Sequence, residues 1–134
     1  MWINIEAASK VAEQINADGG TAIAVMANVL EKESLEQARK EVHERLGSCD
    51  ILINGAGGNH PLGTTSKPHL QEEDLLNSED CFKTFFDPGP DGIKFVFDLN
   101  FIGTLLPTQV FAQDMVGKEG CSILNISSMN AFTP

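Results

Sequence analysis

The sequence contains no tyrosine and a single tryptophan in 134 residues. Basic residues are scarce: 9 Lys and Arg stand against 19 Asp and Glu, a net charge of −10. Phosphate backbones and anionic membrane surfaces need basic patches, so nucleic acid and acidic lipid are not expected partners. No apolar run approaches the roughly 18 residues of a membrane span. The opening Met1-Trp2-Ile3-Asn4-Ile5-Glu6 lacks the basic stretch of a signal peptide. Cysteine is sparse too. Cys49, Cys81 and Cys121 are odd in number with no CxxC pair, which suits a reduced, cytoplasmic protein rather than a disulfide framework. What is there is apolar enough, at 42% hydrophobic, to bury a core, and the length allows one domain.

Periodicity organises the chain. Asn4 can cap a helix whose apolar positions are Ala7, Ala8, Val11, Ala12 and Ile15, stopped by Gly19-Gly20. The apolar run at residues 21–26 reads as a buried strand. A second helix is expected over 32–46, with Leu35, Ala38, Val42 and Leu46 inward and Glu36–Lys40 and Glu41–Arg45 paired on the wet side. Residues 49–53 read as a second strand leading into a glycine cluster, and residues 121–126 as a third. A helix from Ile93 to about Met115 should carry Val96, Phe97, Asn100, Phe101, Thr104 and Leu105 on one apolar face, with a kink or break at Pro107. Between them, residues 59–92 hold four of the six prolines and the run Glu72-Glu73-Asp74, an insertion of the length that is functional or disordered in compact domains. The acidic run reads as a solvated face, and Phe82, Phe85, Phe86, Phe95, Phe97 and Phe101 as core.

Helices alternating with all-apolar strands mean an α/β fold with a parallel sheet covered on both faces. Ligands bind such sheets at the carboxyl ends of the strands. Two polar clusters fall there: Asn54-Gly55-Ala56-Gly57-Gly58-Asn59-His60 after the second strand and Ser127-Ser128-Met129-Asn130 after the third. The glycines match neither GxGxxG nor a Walker loop. They serve either a flat ligand pressed on the backbone or a tight turn alone. Ser127 and Ser128 can bond a substrate oxygen or cap a helix, and no GxSxG elbow supports a serine triad. Asn100, polar on an apolar face, needs partners. His60 and His69 near Glu72 and Glu73 match no metal-ligand spacing, so no metal is expected.

In combination, three motifs resemble the short-chain dehydrogenase/reductase family. Ile51-Leu52-Ile53-Asn54-Gly55-Ala56-Gly57 is similar to its "LVNNAG" strand, with Gly55 in place of the second Asn. Asn100-Phe101-Ile102-Gly103 is similar to its "NxxG" helix, and Gly120 to Ser128 to its "GxIxNISS" strand. The glycine loop through Pro61, the long insertion, residues 100–111 and the ending Met129-Asn130-Ala131-Phe132-Thr133-Pro134 further resemble the family's D-mannonate oxidoreductase (fructuronate reductase) subgroup.

The resemblance implies a Rossmann-like doubly wound parallel sheet, here with family strands three to five only. It implies NAD(P)-linked oxidation of a sugar acid, with NAD or NADP left open. Another sugar or polyol dehydrogenase, or a non-catalytic nucleotide-binding fragment, are the rival expectations. Ser128 would polarise the substrate oxygen, and Asn100 would hold a water in the proton relay. Asn28, Val29, Asn54, Gly55, Ala56, Gly57 and Ile126 would line the cofactor, Asn28 standing where the family has an adenine-binding Asp. Asn59, His60, Met129 and Asn130 lie where a sugar-acid substrate could reach. The family's catalytic Tyr and Lys would fall after Pro134, and its TGxxxGIG turn before Trp2, so the chain alone is expected to be inactive. An intact member would be a homotetramer with the Ile93–Met115 helix at an interface. In the order 3-2-1-4-5 the first strand is left apart while the other two pair, so the polypeptide alone should be unstable, pair by its strand edge or aggregate.

Overall fold

A computed structural model describes residues 4–77, 79 and 81–128. Helix α1 (Ile5–Ala17) starts where expected: the Asn4 side chain accepts the Ala7 N–H at 3.0 Å. Gly19 ends it with a φ of +88°, a left-handed value that glycine adopts without strain. Helix α2 (Lys32–Leu46) buries Leu35 and Ala38, leaves Leu46 exposed, and stops at Gly47. Its surface pairs are Lys32–Glu36, Lys40–Glu44 and Glu41–Arg45. The expected Glu36–Lys40 pair does not form, because each partner has a neighbour one turn the other way.

Strands β1 (Ile51–Asn54) and β2 (Ser122–Asn125) pair in parallel, Ile51 beside Ser122 and Asn54 beside Asn125. Residues 21–26 are not a strand, contrary to expectation. Strand geometry needs a neighbouring backbone, and among the described residues none runs beside this segment. A side chain supplies part of the bonding instead: Asn16 accepts from the Ala22 N–H at 2.7 Å and donates to its carbonyl at 3.1 Å.

The third helical stretch, Pro90–Asp114, is a composite. Helix α3 (Pro90–Phe97) widens into a π turn over Asp98–Ile102, where the Gly103 N–H reaches back to the Asp98 carbonyl. Helix α4 (Gly103–Phe111) follows and ends in a 3-10 turn, Ala112–Asp114. Pro107 sits inside α4 without breaking it. The irregularity expected there falls one turn earlier, in the π turn. The composite is long and apolar enough, at mean hydropathy 1.3, to cross a membrane by length and composition, which a count of unbroken apolar residues does not reveal. It also carries Asp91, Lys94, Asp98 and Asp114, and its α4 part packs on α2 and β1.

The core lies between α2, α4 and one face of the sheet. Leu35, Ala38, Leu99 and Val110 are buried there. The buried side of the composite helix is thus Leu99, Gly103, Pro107 and Val110, not the expected face. Phe97 and Phe101 are exposed, as are Phe85 and Phe86, so most of the phenylalanines expected in the core lie outside it. Periodicity identifies a stripe, but which stripe is covered depends on where α2 docks. Gly103 permits that close approach: a Cβ there would meet Val29 Cγ2 at 3.0 Å. The opposite sheet face is bare. Ile53 is 61% exposed, and Ile51 and Leu124 are exposed beside it, so among the described residues the sheet is covered on one face only.

Candidate active site at the strand ends

The ladder's carboxyl end carries two asparagines side by side. Asn54, buried, donates from Nδ2 to Asn125 Oδ1 at 2.8 Å and to Thr108 Oγ1 at 2.9 Å. The Thr108 hydroxyl donates to the Thr104 carbonyl at 2.8 Å, and the Thr104 hydroxyl to the Asn100 carbonyl at 3.0 Å. A neutral hydrogen-bond chain therefore joins the end of β1 to the π turn. The residues spaced four apart from the π turn into α4 (Asn100, Thr104, Thr108) are a visible signal for it in the sequence.

Asn100 closes the other side of the glycine loop. Its Nδ2 donates to the Gly58 carbonyl at 2.7 Å and to the Val96 carbonyl at 2.8 Å, while Oδ1 accepts from the Gly58 N–H at 3.1 Å. Asn100 is exposed rather than facing a core, yet both amide hydrogens are spent, so it braces the loop. The acceptor capacity left to its Oδ1 and main-chain carbonyl is what could hold a water. A Cβ at Gly57 would lie 2.8 Å from Asn100 Oδ1, so a larger residue there would push that amide aside. Gly58 has a φ of +151°, and a Cβ at Gly55 would meet only Ile126 Cγ1, at 3.9 Å. The loop backbone is bare on its outer side.

An open cavity of about 490 Å³ results, lined by Gly55, Gly57, Gly58, Asn59, Val96, Asn100, Ile126, Ser127 and Ser128. That volume suits a small-molecule site. The two polar clusters expected at the strand ends meet there in part: Gly55, Gly57, Gly58 and Asn59 face Ser127 and Ser128 with Asn100 between them, while His60 is not among the cavity's lining residues. Asn54 lies beneath, bracing the strand ends, and Ala56 is half-buried in the loop. Met129 and Asn130 lie outside the described residues. Asn28 and Val29 sit apart, at the turn before α2. Asn28 Oδ1 accepts the Leu30 N–H at 3.1 Å and its Nδ2 donates to Glu31 at 2.7 Å, so much of its amide is engaged locally. Val29 packs on Gly103. His60 accepts the Leu62 N–H on Nδ1 at 3.2 Å, with its ring 4.7 Å from that of Phe95.

A charged cluster at the opposite end of the ladder was not anticipated. Asp114, buried, accepts from Arg39, from His43 Nε2 at 2.5 Å and from the Cys49 N–H at 3.1 Å. Burial pushes its carboxyl up, but the bonds from Arg39, His43 and Cys49 outweigh that and hold it well below the usual carboxylate range. Burial, followed by the charges of Asp114 and Asp50, pushes the nearby Cys49 thiol up. Arg39 and His43, one turn apart on α2, were the only local clue. Asp74 likewise departs from the solvated face expected of it: it is buried, and Lys67 Nζ reaches it at 2.5 Å. Among the described residues, no three His, Cys, Asp or Glu gather into a metal-ligating group, and all three cysteines are free thiols.

Glycine loop, bracing amide and serine-bearing strand end at the carboxyl edge of a parallel sheet define part of a Rossmann-like site. The family model for short chain dehydrogenases matches residues 1–134, and the chain belongs to that family. An uncharacterized oxidoreductase of Haemophilus influenzae is 54% identical over 132 residues, covering 98% of this chain and 45% of that protein. The Bacillus subtilis oxidoreductase UxuB, also uncharacterized, is 40% identical over 129 residues, covering 96% of this chain and 44% of that one. A Haemophilus crystal structure with bound NAD, provisionally named a D-mannonate oxidoreductase, is 54% identical with a TM-score of 0.88, covering 98% of this chain and 45% of that one. A gluconate 5-dehydrogenase from Burkholderia cenocepacia shares the fold, at 24% identity and a TM-score of 0.67, over 93% of this chain and 41% of that one. The chain spans under half the length of each of these proteins.

Proposed function

We propose that this chain is part of an NAD-linked oxidoreductase that interconverts the hydroxyl and carbonyl forms of a sugar acid, D-mannonate and D-fructuronate. The observation that carries the reading is the Asn100–Gly58 bracket, which holds a bare glycine backbone beside the serine-bearing end of β2. The residues fit a dinucleotide. Gly55, Gly57 and Ile126 offer the cavity a wall without a polar side chain, with Ala56 spacing the two glycines, and the remaining lone pair of Asn28 Oδ1 can accept from an adenine amine. Bound nicotinamide would supply the hydride acceptor or donor.

The chain's own residues orient the substrate. Ser128 polarises the reacting oxygen, and Asn59 and His60 receive the polyol or carboxylate end, which extends toward Met129 and Asn130. Asn100 fixes the wall and offers an acceptor to a relay water. The tyrosine and lysine that complete proton transfer in the family resemblance are absent from the three motifs, and the sequence has no tyrosine at all. The exposed stripe of Ile93, Phe97 and Phe101 is where a contact between subunits would fall.

The test is NADH formation by the full-length protein carrying this segment, with D-mannonate against gluconate and simple polyols. Preferential oxidation of D-mannonate supports the reading. Preference for another sugar or polyol corrects the substrate, and NADH binding without turnover of any of them contradicts catalysis.

A further inference from the structure

The insertion at residues 59–92 is tied to the site at one turn. That turn, Pro61–Gly63, follows Asn59 and His60 directly and packs backbone to backbone on the start of α3. A Cβ on Gly92 would lie 2.2 Å from the Leu62 carbonyl oxygen, and one on Gly63 would lie 2.7 Å from the Gly92 oxygen. Within the turn, the Gly63 N–H and the Thr64 hydroxyl both donate to the His60 carbonyl, at 2.8 and 2.7 Å. The imidazole is held as well. Its Nδ1 accepts the Leu62 N–H, which leaves the proton of the neutral ring on Nε2, and its face is steadied by Phe95.

One tether comes from far along the chain. Lys83 Nζ donates to the Pro61 carbonyl at 2.9 Å, across 22 residues. Lys83 is itself fixed by its backbone: its N–H donates to Ser66 Oγ, and its carbonyl accepts the Ser66 N–H, both at 2.8 Å. The ammonium is thus carried on a pinned segment of the insertion and aimed at the turn that follows His60.

We propose that Lys83 is a positioning residue for substrate recognition, holding the Pro61 carbonyl so that His60 presents Nε2–H to an oxygen of the sugar acid. The proposal rests on the oxidoreductase reading above and extends it by giving the insertion a task. Because its tether ends on the turn that follows Asn59 and His60, it should act on the sugar acid and not on the dinucleotide.

Lys83→Met is a clean test, because the Ser66 bonds use only backbone atoms of Lys83 and survive the change. In the full-length protein, Lys83→Met should raise KM for D-mannonate roughly tenfold while KM for NAD stays within about twofold, as weakening the one substrate hydrogen bond from a displaced His60 predicts. Lys83→Arg should restore it. A second readout does not depend on turnover: long-range 1H–15N spectra of the histidine side chains at pH 8. His60 should show a fixed Nε2–H tautomer in the wild type and tautomer averaging in Lys83→Met. If the wild type does not oxidise D-mannonate, the substrate reading fails, and the His60 spectra then decide the positioning claim. Unchanged His60 signals in Lys83→Met would overturn it, as would equal changes in both KM values.

Discussion

The two ends of one short ladder are built from different chemistry. At the amino end, charges close the structure: Asp114 binds Arg39, His43 and the Cys49 N–H just before β1, and Lys118 reaches Ser48 at 2.5 Å and Asp50 at 2.9 Å. At the carboxyl end, Asn54, Asn125, Thr108, Thr104, Asn100 and bare glycine backbone are joined by neutral bonds beside an open cavity. Breaking the bonds to buried Asp114 is costly, and its carboxylate, closed off from solvent, offers a ligand nothing. Neutral amides hold geometry without imposing a field and leave acceptor capacity at the surface. Stability and chemistry should therefore separate along the strands.

The largest stability effect should come from Asp114→Ala, which strands Arg39 and leaves the Cys49 N–H without its acceptor. Urea unfolding of the full-length protein should show a loss of about 3–5 kcal/mol. A loss below about 1 kcal/mol would break the comparison. Next comes Gly57→Ala, whose Cβ would press on Asn100 Oδ1. Displacing that amide should weaken NADH binding roughly tenfold at a stability cost of about 1–2 kcal/mol, read by fluorescence titration and urea melts. Equal effects on binding and on the buried ion cluster would erase the distinction between the ends.

Acid sharpens it further. The folded Asp114 carboxyl is held below its unfolded value of 3.8, so its contribution is present above that value and is lost as pH falls through the lower folded one. Asp114→Asn should flatten the acid limb of stability below pH 3.8 relative to wild type. An unchanged limb would mean that other carboxylates carry it. The smallest effect belongs to Lys118→Met. Its partner Asp50 is exposed, and surface pairs contribute little, so the melting temperature should stay within about 1 °C. The bare sheet face of Ile51, Ile53 and Leu124 gives one more expectation. The 134-residue chain alone should elute as a self-associated species in light scattering, whereas a monomer with a cooperative melt would contradict it.

Local signals were legible in the sequence, and long-range ones were not. Asn4, Gly19 and Gly47 set helix ends through bonds within a few residues, and α1 and α2 fall where their periodicity puts them. The run at 21–26 has the composition of a strand, but strand structure needs a neighbour that composition does not provide. The stripe through Phe97, Asn100 and Phe101 was visible, whereas its exposure depends on α2 docking against Leu99, Gly103 and Val110. At the site, the glycine loop, Asn100 and Ser128 were legible by kind and order. That Asn100 spends its amide on Gly58, 42 residues away, was not. Asp114 shows why: its partners Arg39 and His43 lie 75 and 71 residues away, with no pattern linking them.

Asn100→Ala in the full-length protein tests the central claim most directly, with kcat for NAD-linked oxidation and the melting temperature measured on the same sample. The account predicts a fall in kcat of about 100-fold or more, as for removal of one positioned polar group, with a melting temperature within about 4 °C of wild type. A kcat within about twofold of wild type, or a collapse of the fold that takes activity with it, would contradict the assignment of the carboxyl end to chemistry.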